Sequence, residues 1–110
     1  MGFAASQARF LMLTARKSDL ELQGQLINQA RMALANVTGA LFSVSSNLDP
    51  GGPEAQQLQA RIAGIQALDK TLEMQLRRVD TQREAVQTEV DAVRKVIGKN
   101  IESTFKTFSA

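Results

Sequence analysis

Seven residues near the middle of the chain, Asn47-Leu-Asp-Pro-Gly-Gly-Pro53, constrain this sequence more than any other feature. They hold both of its prolines. Proline and glycine in succession stop a helix and permit a tight reversal. Pro53 suits the first position of a following helix, where its missing N–H costs nothing. Glu54 then falls at the positive end of that helix. The flanking arms are nearly equal in length. The expected layout is arm one over 3–46, turn over 47–53 (with Pro50, Gly51, Gly52 and Pro53 at its apex), arm two over 54–98, and a helical extension over 99–110.

Both arms carry a seven-residue apolar repeat. In arm one it is Leu20, Ile27, Leu34 and Leu41, with Ala30, Val37 and Val44 expected to interleave and Leu26, Ala33 and Ala40 widening one side. In arm two it is Leu58, Ile65, Leu72, Val79, Val86 and Val93. Ile62, Leu76, Val90 and Ile97 fill the alternate row, which Asp69 and Arg83 interrupt. Alternation of three and four residues is the spacing of coiled-coil packing. The fold class is therefore all-α, a long antiparallel two-helix hairpin that assembles with other copies, forming one domain. Ser18-Asp-Leu-Glu21 matches a capping box. A restart of arm one there competes with an unbroken helix.

Folding back at the turn sets residues whose numbers sum to about 100 side by side. Phe3 then approaches Ile97, Phe10 approaches Val90, and the segment after Lys99 overhangs. An arm of about 45 residues extends roughly 65–70 Å. One seam in such a pair leaves much of the surface wet, and ordering each residue costs about 1–2 kcal/mol. Burial against further chains is the natural remedy.

No charged residue occurs from Met32 through Leu48. Solvent-facing helices normally carry Lys and Glu, so this stretch reads as packed surface. A soluble Ser/Asn-rich helix end is the alternative. Expected assembly contacts are Phe3, Phe10, Asn36, Gly39, Phe42, Ile101, Phe105 and Phe108. The hairpin gathers four of the five Phe residues at one pole, as a local plug or as a handle for a neighbour.

The chain has no Cys and no His. That removes disulfides, thiolate or imidazole zinc sites, and Ser-His or Cys-His catalysis within one chain. Carboxylates such as Asp80 with Glu84 lie among basic neighbours without a pocket signal, and no phosphate-binding loop is present. We expect no enzyme activity, no cofactor and no metal. The net charge is +2, and the only adjacent cations are Arg16-Lys17, Arg77-Arg78 and Arg94-Lys95, so no nucleic-acid partner is expected. Arg9 interrupts the first apolar stretch, which argues against a cleaved Sec signal.

The spacing of Pro50-Gly-Gly-Pro53 and the amphipathic tail Val93-Arg-Lys-Val-Ile-Gly-Lys-Asn-Ile-Glu-Ser-Thr-Phe105 resemble the needle subunits and related axial hairpins of bacterial type III secretion systems and flagella. The opening, Ala4 through Arg16 and then Gly24-Gln-Leu-Ile-Asn28, also resembles an uncharacterised bacterial family. The needle resemblance implies a filament or tube subunit at the cell surface or outside the cell, its partner being itself, with arm two facing any lumen. The alternatives are a cytoplasmic coiled-coil adaptor or secretion chaperone in a closed bundle, and a peripheral membrane contact through Phe3, Phe10, Leu11 and Leu13 beside Arg9, Arg16 and Lys17.

Overall fold

The computed structural model describes residues 2–109, with Ser109 described by its backbone alone. It is all-α: α1 spans Phe3–Ser45 and α2 spans Pro53–Ser109, antiparallel across one turn, with no strand among the described residues. α1 runs unbroken through Ser18, so the capping-box match starts no new helix. Its hydrogen-bond ladder already satisfies the backbone there. α2 likewise continues through Gly98 and takes in the extension. Ala110 lies outside the described residues.

The turn is built as its residues demand. Gly51 has φ 83°, a left-handed conformation that glycine adopts without strain. The Gly52 N–H donates to the Asp49 carbonyl at 3.1 Å, and the Gln56 N–H donates to the Gly52 carbonyl, also at 3.1 Å. Pro53 opens α2. At the end of α1, Ser43, Ser45 and Ser46 turn their hydroxyls back to carbonyls of Gly39, Phe42 and Ser43. The hydroxyls serve the fraying helix end, and less hydrogen-bonding capacity points outward.

The chain divides into two compact units. Residues 24–78 form one, and residues 2–23 with 79–109 form the other. In the first, Leu58 and Ile62 are buried, while Ile27, Leu34, Leu41, Leu48, Ile65, Leu72 and Leu76 are half-buried. In the second, Leu13, Leu20, Val79, Val86, Val90 and Val93 are buried. In α1 of this second unit Ser6, Leu13 and Leu20 are buried, a backward continuation of the heptad of Leu20, Ile27, Leu34 and Leu41.

The second row of arm one differs from expectation. Ala30, Val37 and Val44 are exposed. The residues that complete the seam are Phe10, Lys17, Gly24, Arg31, Thr38 and Ser45, all half-buried. They precede the Leu row by three residues, whereas the expected row followed it by three. Asp69 of arm two occupies a seam position beside this row, half-buried. Arg31 pairs with it, donating from Nε to Oδ1 at 2.9 Å and from Nη2 to Oδ2 at 3.3 Å. Thr38 is accommodated because its hydroxyl donates to the Leu34 carbonyl at 2.8 Å. Rotating arm one toward its polar row leaves the apolar one outside.

Candidate association surface

The displaced residues form a second heptad row on α1: Leu26, Ala30, Ala33, Val37, Ala40 and Val44, at intervals of four and three. All six are exposed, with Leu26, Val37 and Val44 between 47% and 55% accessible. The row borders a shallow apolar groove of about 350 Å³ lined by Val37, Leu41, Arg61, Gly64, Ile65 and Leu68. Nothing lies within 4 Å of a Cβ built on Gly64, so its missing side chain opens the groove to a visitor. Leu68 is itself 50% exposed. Arg61 is the only charged group in the groove.

The opposite flank of this unit is chemically different. Its groove of about 760 Å³ holds Met32 and Ala35 beside Asn28, Gln66 and the Arg31–Asp69 pair. The Arg31 hydrogen bond, then its charge, hold the Asp69 carboxyl below the usual carboxylate range, and burial opposes them. The Asp69 hydrogen bond raises Arg31 in turn. This flank is interrupted by polar groups, whereas the outer row of α1 is not.

The unit formed by the two chain ends has its own exposed apolar surface. Ile101, Phe105 and Phe108 recur at intervals of four and three, and Phe105 and Phe108 are 73% and 87% accessible. The Glu102–Lys106 ion pair flanks them at 3.4 Å. Phe3 is exposed nearby in sequence to the start of α1, whereas Phe10 turns half inward with the Arg94 guanidinium 5.8 Å from its ring centroid. Phe10 therefore serves the unit's own seam. Between the arms, Arg9 and Glu89 pair at 3.3 Å on a rim shared with Met12, Arg16, Asp19 and Gln82. Two buried polar atoms in this unit, Ser6 Oγ and Asn100 Nδ2, have no hydrogen-bond partner.

Of the expected assembly contacts, Phe3, Asn36, Gly39, Phe42, Ile101, Phe105 and Phe108 are all exposed. At 100° per residue, however, Gly39 and Phe42 point away from the outer row, and Asn36 sits at its edge. Of the row, the sequence places Ala30, Val37 and Val44 in the seam and has Leu26, Ala33 and Ala40 widen it on one side. Among the described residues no cluster of ligating side chains could hold a metal ion, and no helix is long and apolar enough to cross a membrane. No protein-family model matches the chain, and neither a curated protein nor a solved structure matches it. The fold is that of a two-helix hairpin with exposed apolar helix faces.

Proposed function

We propose that the chain is a structural subunit that assembles with copies of itself into a helical filament or tube. The observation that carries this reading is the exposed outer row of α1, an apolar heptad without a helix to fill it. A second apolar surface, the tail bearing Ile101, Phe105 and Phe108, belongs to the other unit. A single self-matching patch closes after two copies, so a polymer built on one needs a further contact such as the tail provides. The needle-like turn and tail agree with this role, and a location at or beyond the cell surface belongs to the same proposal.

Removing everything after Gly98 tests it. The shortened chain keeps its helical circular dichroism and loses long polymers in negative-stain micrographs. Polymers that persist without the tail defeat the axial assignment. A closed-bundle adaptor is the second reading, favoured by the regular heptad spacing of the outer row, which suits a small bundle equally well. Sedimentation separates the two: polydisperse polymer for the filament, a fixed small oligomer at high concentration for the bundle.

A further inference from the structure

We infer that the outer row of α1 seats the same row of a second copy running antiparallel, so that two hairpins form a two-fold pair. This inference rests on the self-assembly reading and gives its lateral contact an occupant and an orientation. The intervals from Leu26 to Val44 run four, three, four, three, four. Only a helix with the same seven-residue repeat fills such a row along its length. Because the sequence of intervals is identical from either end, an antiparallel copy presents it in register. Leu26 then meets Val44 of the second copy, Ala30 meets Ala40, and Ala33 meets Val37. The alanine layers let the two backbones approach closely.

Area and charge support a pair. The row extends about 27 Å at 1.5 Å per residue. With the adjoining α2 surface at Gly64 and Leu68, the face is two helix diameters wide, roughly 20 Å. Each copy thus contributes about 500 Å², and the total of about 1,000 Å² reaches the lower bound for a specific interface. No residue from Met32 through Leu48 is charged, so the two α1 rows meet there without repulsion, and Arg61 is the one charged residue lining the adjoining groove. Orientation follows from the same heptad continued toward the N-terminus, where it becomes Gln23, Asp19, Arg16, Met12 and Arg9. A parallel pair sets Asp19, Arg16 and Arg9 against themselves. An antiparallel pair does not, and it also opposes the two helix dipoles.

The absence of cysteine from the chain makes the test direct. Leu26→Cys and Val44→Cys variants, mixed and oxidised, give a mixed disulfide dimer, because a disulfide needs Cβ atoms about 4 Å apart. Leu26→Cys alone gives none, since its two copies stand about 27 Å apart. Val37→Lys weakens association in sedimentation at least tenfold with helicity intact, while Ala35→Lys on the opposite flank changes it less than twofold. Self-cross-linking of Leu26→Cys, or an unchanged constant for Val37→Lys, overturns the antiparallel pair. Polymers that form without the 26–44 cross-link overturn it too and leave the filament reading standing. A cross-linked pair that never polymerises supports the pair and removes the filament.

Discussion

Replacing the two cations in the seam of the chain-end unit strengthens the hairpin. Lys17 lies between Leu13 and Leu20, and Arg83 lies between Val79 and Val86, so both occupy positions that the heptad assigns to apolar side chains. Each side chain is largely covered, with 33% and 38% of its surface accessible. Their ion pairs are long: Lys17 Nζ is 3.8 Å from Glu21 and Arg83 Nε is 3.9 Å from Asp80, each within its own helix. Such pairs contribute about 0.2–1 kcal/mol. A fully buried Leu contributes about 1.5–3 kcal/mol, hence about 1–2 kcal/mol at a site two-thirds covered. The Lys and Arg stems already supply part of that, and helix propensity hardly changes. The net gain is about 0.5 kcal/mol per site, or about 1 kcal/mol for Lys17→Leu with Arg83→Leu. For a domain of this size that raises Tm by about 4 °C. The assay is thermal unfolding by circular dichroism across a tenfold dilution series, because association alone shifts Tm by mass action. An unchanged or lower Tm at every dilution refutes the reasoning.

Two further outcomes follow from particular groups. Asp69 is held below the usual carboxylate range by Arg31, so its contribution to stability is fully present above the unfolded value of about 3.9. That contribution is lost as pH falls through the lower folded value. Asp69→Asn lowers stability at neutral pH and flattens the acid limb of a denaturation curve measured from pH 7 to 2; an acid limb as steep as that of the unmodified protein rules the linkage out. Gly51→Ala forces a side chain into a φ of 83° and lowers stability by about 1–2 kcal/mol. Urea titration measures this, and a loss below about 0.3 kcal/mol means that the turn relaxes to another conformation.

The sequence by itself determined the helical class, the position of the reversal and both seam rows of arm two. Those features are local: Pro50 to Pro53 can only punctuate, and Leu58 through Val93 repeat at one spacing with few competitors. The heptad of arm one was legible too, since Leu20, Ile27, Leu34 and Leu41 cannot all face water. What the sequence left undecided was the side of that heptad that turns inward. Hydrophobicity favours Ala30, Val37 and Val44. The tertiary structure chose Gly24, Arg31, Thr38 and Ser45. Arg31 in that row pairs with Asp69, a residue 38 positions away. Hydropathy along one helix carries no information about a charge waiting on the other. The candidate association surface is the other side of that placement: with the polar row in the seam, the apolar row of α1 faces solvent.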